Sequence, residues 1–347
     1  MEYVIMCGGD YSDQFETPKP LIEICKEKLI ERTIRLLKEN GIERITITTN
    51  NISDYSYLGI NIKRNEHRYV HEAKDLPKKS ENAWLNAYYP FEKPACYLPG
   101  DVWWTEEAIK KIIYAPVKDV LFFASPGIYD GRKNANIKTH REPLGFKVLN
   151  QDKFRKAINE ILEEIDKGKF TVDPVSWTLY KKLNGLKIDY HSWNNDIFDK
   201  PGELLVIDDM TTDIDNQENV KDLESMIYEK RVKEGEKGMV RCTPREYFTI
   251  NEQMFNELKE VTRANAEANN KCELYIGDTF LCNEHIAKYL LNEEDKEGKP
   301  GNNPVDRPLV KVIEVIPDDE KLNKVYETAM KLKEDKPKRT RKAKKSE

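Results

Sequence analysis

The stretch YVIMCGGDYSDQFETPKPLIEICKEKLIERTIRLLKENGIERITITT, residues 3–49, decides the fold class. Its first five residues, Tyr3 to Cys7, form a short apolar run broken by Gly8-Gly9, which reads as a buried strand entering a loop. A polar stretch from Asp10 to Pro20 follows, where Pro18 and Pro20 oppose regular structure. From Leu29 to Asn40 the apolar residues Leu29, Ile30, Ile34 and Leu37 recur at helical spacing, and Gly41 stands where a C-terminal cap belongs. Ile45 to Thr49 is then a β-branched strand. Strand, helix and strand in so short a span is the βαβ unit of a parallel sheet.

The alternation continues outward from this unit. Strands are expected at Ala95 to Leu98, Val120 to Ala124 and Leu204 to Ile207. Helices are expected at Glu106 to Ile113, with Thr105 as N-cap, at Phe154 to Ile165, and at about Asn219 to Tyr228. The fold class is therefore α/β: a Rossmann-like open, mostly parallel sheet with helices on both faces, covering residues 1–232. The charged, glycine-containing segment 233–238 reads as a linker. Beyond it, residues 239–317 read as a small α+β domain. A helix is expected there at Val261 to Asn270, then a strand at Glu273 to Ile276. A helix at Asn283 to Leu291 and a strand at Leu309 to Ile316 complete the set, with a long polar loop over 293–306. A C-terminal helix over 318–334 and a disordered basic tail over 335–347 complete the expected organisation.

At 347 residues the chain exceeds one typical domain, and 34% charged against 39% hydrophobic residues assigns part of it to solvated surface. The net charge of −5 conceals a basic terminus, Lys336 to Glu347, and a more acidic body. Cys7, Cys25, Cys96, Cys242, Cys272 and Cys282 are scattered without a CxxC pair, which fits free thiols in a reducing compartment and neither a zinc site nor a disulfide framework. No apolar run approaches the ~20 residues of a membrane span. The residues Met1 to Met6 lack a basic n-region, so a strand is expected there and not a signal peptide. The expected location is the cytoplasm, or a host's cytoplasm if the chain is phage-encoded.

Three constellations carry chemistry. The first is Cys7-Gly8-Gly9 followed by Thr17-Pro18-Lys19-Pro20-Leu21: glycines let backbone N–H groups approach an anion, and a lysine meets phosphate as a point charge. The second is Pro99-Gly100-Asp101, a carboxylate just past the carboxyl end of a strand, where open α/β sheets bind ligands. The third is the acidic run from Asp208 to Asn219, with Asp213 and Asp215 at its centre. Each has a plainer reading: a common two-glycine turn, an Asp in a turn before a helix, and a solvated loop in which Asp215 or Asn216 caps a helix.

Taken in order, these residues resemble sugar-phosphate nucleotidyltransferases and the related cytidylyltransferases, the nucleotide-diphospho-sugar transferase (GT-A) type of fold. The run IMCGGDYSDQFETPKPLIEICKEKLIERTI carries the family's strand, GG loop, Pro-Lys pair and following helix, and the closest resemblance is to poorly characterised members from bacteria and their phages. The resemblance implies that Lys19 and Asp101 are catalytic and that Cys7, Gly8, Gly9, Lys19, Asn65, Asn82 and Gly100 meet the nucleotide. It also implies that Asp101 and Asp215, with Asp213 as the alternative, hold Mg²⁺. Lys147, in REPLGFK, would face an acceptor phosphate, or else stand on a strand pointing to solvent. The family's loop usually carries an arginine soon after the glycines, whereas Asp10, Tyr11, Ser12 and Asp13 stand here. Asn216, Gln217 and Asn219 also depart from the family's D-I-D-T-P-E-D-L pattern.

The implied activity joins the NMP of an NTP to a sugar phosphate or similar phosphorylated small molecule and releases pyrophosphate. The alternatives are a glycosyltransferase using a nucleotide-sugar and a degenerate domain with a structural or phage-assembly role. His67 and His71 lie four apart, but Tyr69 and Val70 argue against a helix, so zinc is not expected. The texture of 239–317 is similar to small phage accessory proteins, so a protein partner is expected for it. The tail reads as a solubilising segment, with a polyanion contact as its alternative.

Overall fold

The computed structural model describes residues 1–8, 15–65, 92–125, 142–172, 174, 176–191, 204–234, 238–264, 272–292 and 308–317. The chain divides into two compact units, Met1–Val220 and Lys221–Glu347.

In the first unit β1 (Glu2–Cys7) leads through a short turn at Lys19–Leu21 and a hairpin of β2 (Glu23–Ile24) and β3 (Glu27–Lys28) into α1 (Leu29–Glu39). The apolar stripe anticipated for α1 is buried: Leu29, Ile30, Ile34, Leu36 and Leu37 face inward. It ends in a Schellman motif, in which the Gly41 N–H (φ +77°) donates to the Lys38 carbonyl and the Ile42 N–H to that of Leu37. The strands β4 (Ile45–Thr49), β5 (Asn61–Arg64), β6 (Ala95–Pro99), β7 (Val102–Trp103), β8 (Val120–Ser125), β9 (Glu142–Val148), β10 (Leu204–Val206) and β11 (Thr212–Asp213) follow. Interspersed are α2 (Glu106–Tyr114), α3 (Gln151–Asp166) and α4 (Ser176–Leu183), with α5 (Gln217–Lys233) beginning after β11.

Among the described residues the main sheet has seven strands in the order β10-β8-β9-β6-β1-β4-β5. The pairs β1–β4, β1–β6, β4–β5 and β8–β10 are parallel, and β9 alone runs antiparallel between β6 and β8. Successive side chains alternate between two cores, as the strand period requires. Val4, Tyr97, Phe122 and Phe146 join one core with Phe154, Ile161 and Trp177 of α3 and α4. Tyr3, Ile5, Leu98 and Phe123 join the other with Ile30 and Leu37 of α1 and Ile109 of α2. Chain order reverses beside β1, whose neighbours are β4 and β6, and the carboxyl ends of strands at such a reversal are where open α/β sheets bind ligands.

The expected elements of this unit are present, with Thr105 capping α2 through the Ala108 N–H. Several differ in extent. The helix expected from Phe154 starts at Gln151, because Asn150 caps it by accepting from the Lys153 N–H. The helix α4 has no counterpart among the expected elements, and β9 matches the strand alternative for REPLGFK. β9 approaches β6 closely at Gly145 (φ +126°), where an added Cβ would lie 2.1 Å from the Tyr97 carbonyl oxygen.

In the second unit β12 (Gly238–Pro244), β14 (Lys259–Thr262), β16 (Thr279–Asn283) and β17 (Val310–Pro317) form an antiparallel sheet in the order β14-β16-β12-β17. A small pair, β13 (Phe248–Thr249) and β15 (Glu273–Leu274), accompanies α6 (Glu252–Glu257) and α7 (Glu284–Leu290). Val261 and Thr262, expected to open a helix, lie in β14; their β-branched side chains suit a strand, and the helix precedes them at Glu252–Glu257. The rest of that expected helix, at 265–270, the loop 293–306, the helix 318–334 and the tail lie outside the described residues. The segment read as a linker is entered by α5 at Lys233 and left by β12 at Gly238. None of the six cysteines is in a disulfide. No helix among the described residues is long and apolar enough to cross a membrane.

Candidate functional site

The carboxyl ends of β1 and β6 are held together by close backbone approaches. The Gly100 N–H donates to the Met6 carbonyl at 2.8 Å, fastening the end of β6 to β1. A Cβ at Gly100 would lie 2.7 Å from Cys7 Sγ, 3.0 Å from the Met6 carbonyl oxygen and 3.1 Å from Pro20 Cγ. Glycine is therefore required where β1, β6 and the Pro-Lys-Pro turn converge. Pro18 and Pro20 bracket Lys19 on that turn, and buried Pro20 anchors it.

This packing aims Lys19 at two carboxylates far away in sequence. Its Nζ lies 3.1 Å from Asp215 Oδ1 and 3.7 Å from Asp101 Oδ2. Asp101 follows Gly100 directly, and Asp215 arrives through the β7–β11 pairing, in which Thr212 opposes Trp103 and Asp213 opposes Val102. The Ile214 N–H then donates to the Asp101 carbonyl at 3.0 Å. Helix capping falls to Asn216, which accepts from the Asn219 N–H at 2.9 Å, while the Asn219 side chain accepts from the Asp215 N–H at 3.1 Å. The Asp215 carboxylate is thus left to face Lys19, so the capping and charge-pairing roles divide between neighbours.

Asp101 and Asp215 both face the Lys19 ammonium. Burial pulls the Lys19 ammonium down, but Asp101, Asp215 and Asp213 outweigh it and hold the amine above the usual lysine range. Burial pushes the Asp101 carboxyl up, against the opposing pull of Lys19, and the Asp215 charge adds to the rise. The same burial, reinforced by Asp101, raises the Cys7 thiol well above its ordinary value, while a hydrogen bond with Tyr55 opposes the rise. Cys7 is a packing residue in the protonated form and not a nucleophile.

On the opposite side of β1, Gly8 meets an amide relay. Asn50 Nδ2 donates to the Gly8 carbonyl at 2.7 Å, and Asn65 Nδ2 donates to Asn50 Oδ1 at 3.1 Å. The carbonyl fixes the orientation of Asn50, which fixes that of Asn65, and Asn65 Oδ1 is buried with no hydrogen-bond partner among the described residues. An orphaned acceptor beside a glycine turn is an open position for a ligand N–H or O–H donor.

Lys147 requires a correction. It lies on β9, but it faces neither an acceptor nor solvent: its Nζ is buried and donates to the carbonyls of Ile112, Ile113 and Ala115 at 2.8–2.9 Å. It closes the C-terminus of α2, where a cation meets the orphan carbonyls and the negative end of the helix dipole. Gly9, Asn82, His67 and His71, and the acidic stretch Asp10 to Asp13, lie outside the described residues. Among the described residues no group of three or more His, Cys, Asp or Glu is arranged to hold a metal.

Sequence reasoning missed Asn50 and the polar knot of Asp209, Thr105 and Thr211. Asn50 follows β4 with no local signal. The knot was legible in principle, since Asp209-Met210-Thr211 is an Asx-turn pattern, with the Thr211 N–H donating to Asp209 Oδ1 at 2.8 Å.

Neither a family model nor a curated protein matches the sequence. Among solved structures, the chain is similar to the CTP:phosphocholine cytidylyltransferase of Streptococcus pneumoniae at 13% identity, over 65% of this chain and 98% of that one, with a TM-score of 0.39. It is similar to a 4-diphosphocytidyl-2C-methyl-D-erythritol synthase from Anaerococcus prevotii at 13% identity, over 65% and 95% of the two chains, with a TM-score of 0.40. The inositol-1-phosphate CTP transferase from T. maritima is similar at 15% identity, over 65% and 95%, also with a TM-score of 0.40.

Proposed function

We propose that the first unit is a Mg²⁺-dependent nucleotidyltransferase that joins the NMP of an NTP to a phosphorylated small molecule. The observation that carries this reading is the convergence of Lys19, Asp101 and Asp215 within 3.7 Å at the carboxyl ends of β1 and β6. In the reaction an acceptor oxygen forms a bond to the α-phosphorus, the bond from that phosphorus to the β-phosphate bridging oxygen breaks, and pyrophosphate leaves. Both partners are anions, so charge neutralisation and orientation dominate the barrier.

Asp101 and Asp215 suit Mg²⁺, which is bound through one or two carboxylates and completes its shell with water and substrate phosphates. When bound there, it would neutralise phosphate charge and align the reacting groups. The chain's own residues supply the rest. Lys19 would present its positive charge to a phosphate oxygen. Cys7, Gly8 and Gly100 belong to the nucleotide-binding set through the family resemblance, and Asn65 Oδ1 accepts from an N–H or O–H of the nucleotide. Gly9, Asn82 and Asp213 belong to the same reading through the family resemblance.

A second reading is a nucleotidyltransferase-like scaffold without turnover, favoured by Asp10 and Asp13 in the loop where a triphosphate needs positive charge. Thermal unfolding against ATP, CTP, GTP and UTP, with and without Mg²⁺, separates the two. A ligand at a hundred times its Kd adds about 2.7 kcal/mol to the unit that binds it. A Mg²⁺-dependent shift with at least one nucleotide, lost in Asp101→Ala, is expected of the transferase. No shift with any nucleotide at millimolar concentration favours the scaffold.

A further inference from the structure

We propose that Asp209 is a positioning residue: it pins the register of the short strand pairing that delivers Asp215 to Lys19 and Asp101. This rests on the reading of that triad as the nucleotide and metal site. The β7–β11 ladder is only two residues long on each strand, Val102–Trp103 against Thr212–Asp213. So short a pairing does not fix its own register. A slip of one residue shifts the strand by about 3.3 Å and turns each side chain to the other face. Asp215 would then exchange faces with Ile214, which is fully buried.

A closed set of hydrogen bonds at the far end of the ladder prevents this. The Thr105 N–H donates to Thr211 Oγ1 at 3.1 Å, Thr211 Oγ1 donates to Thr105 Oγ1 at 3.2 Å, and Thr105 Oγ1 donates to Asp209 Oδ2 at 2.8 Å. Asp209 Oδ1 accepts from the Thr211 N–H at 2.8 Å, and buried Ser125 donates to the Thr211 carbonyl at 3.1 Å. The direction of every hydroxyl follows from the carboxylate, which accepts at both oxygens. Thr105 donates to it and is therefore free to accept from Thr211 and from the Ala108 N–H at 3.0 Å. Asp209 thereby ties the start of α2 to Thr211, the residue that precedes β11, and Ser125 holds the end of β8 to the same residue. From that fixed point Thr212 meets Trp103, Asp213 meets Val102, and the Ile214 N–H meets the Asp101 carbonyl.

The test compares the full chain with Asp209→Ala in two measurements: amide exchange at Ile214, and the ratio of nucleotide affinities with and without Mg²⁺. The expected result is Ile214 exchange at least tenfold faster while Ile5 in β1 keeps its protection, with the Mg²⁺-dependent gain in affinity cut at least tenfold. Wild-type Ile214 exchange in the folded variant would overturn the proposal. A global loss of fold stability alone would speed exchange at Ile5 as well and leave the Mg²⁺ ratio of the folded fraction unchanged, and that outcome also overturns it. Should Asp209→Ala not fold, Asp209→Asn keeps an acceptor for the Thr211 N–H but loses the one facing Thr105; the same two changes at smaller size are expected. No change in either measurement for Asp209→Asn overturns the proposal. If the wild type shows no Mg²⁺-dependent nucleotide binding while Ile214 responds as expected, the site reading fails and the register pin stands.

Discussion

Alanine at Gly100 drives a methyl group into the junction of β1, β6 and the Lys19 turn. Its carbon would sit 2.7 Å from Cys7 Sγ, 3.0 Å from the Met6 carbonyl oxygen and 3.1 Å from Pro20 Cγ. Each distance is well short of van der Waals contact, and two of the three neighbours are backbone or a rigid ring. Overpacking of this kind costs about 1–3 kcal/mol. For a unit of this size each kcal/mol lowers Tm by about 2–4 °C, so Gly100→Ala should melt about 2–12 °C below the wild type in its first transition. The Cys7 thiol is the closest neighbour and is 4% exposed, so Cys7→Ala makes room for the methyl. Relief of the clash should appear as a favourable coupling of about 0.5–3 kcal/mol in the Gly100→Ala/Cys7→Ala cycle, measured by urea denaturation. Because Asp101 is the next residue, nucleotide affinity should fall in Gly100→Ala and recover in part in the double variant. A wild-type melting temperature for Gly100→Ala, or strictly additive effects in the cycle, would refute the claim that this junction is closed to a side chain.

Other consequences follow from the same geometry. Lys147→Met removes a buried ammonium and strands three carbonyls at the end of α2; a loss of about 1–3 kcal/mol in urea unfolding is expected, with nucleotide affinity unchanged. The β2–β3 turn carries two non-glycine residues in the left-handed region, Cys25 (φ +51°) and Lys26 (φ +69°), so Lys26→Gly should stabilise the unit by roughly 1 kcal/mol. For Asp101 burial raises the folded pKa, so the carboxyl's contribution to stability is full below the unfolded value of about 3.9 and is lost as pH rises through the folded value. Asp101→Asn should therefore melt above the wild type at pH 7, with the gap closing in acid, while Mg²⁺-dependent nucleotide binding disappears. A variant that melts lower at pH 7 would show that the Lys19 attraction outweighs burial.

Much of the α/β unit was legible because its signals are local. Leu29 to Asn40 has a helical stripe and a Gly41 cap, and Ile45 to Thr49 has a β-branched run; both elements occupy the residues their patterns indicate. What escaped depends on distant partners. β9 runs antiparallel within an otherwise parallel sheet, with Gly145 at a close approach to Tyr97, and no residue near Gly145 announces that. Lys147 reads as a surface lysine until the end of α2 is placed above it. The triad shows the same division. Lys19, Asp101 and Asp215 were individually identifiable, yet their meeting depends on a two-residue ladder and on Asp209, which no periodicity marks. In the second unit, the start of the expected helix at Val261 yielded to a strand because β-branched residues pair well across an antiparallel sheet.

The most direct test of the transferase reading is calorimetric titration of the full chain with each of the four nucleoside triphosphates, in Mg²⁺ and in EDTA, alongside Asp101→Ala. At least one triphosphate should bind in Mg²⁺, and its binding should weaken at least tenfold in EDTA and in the variant. Binding by no triphosphate at millimolar concentration, or binding indifferent to both Mg²⁺ and Asp101, would contradict it.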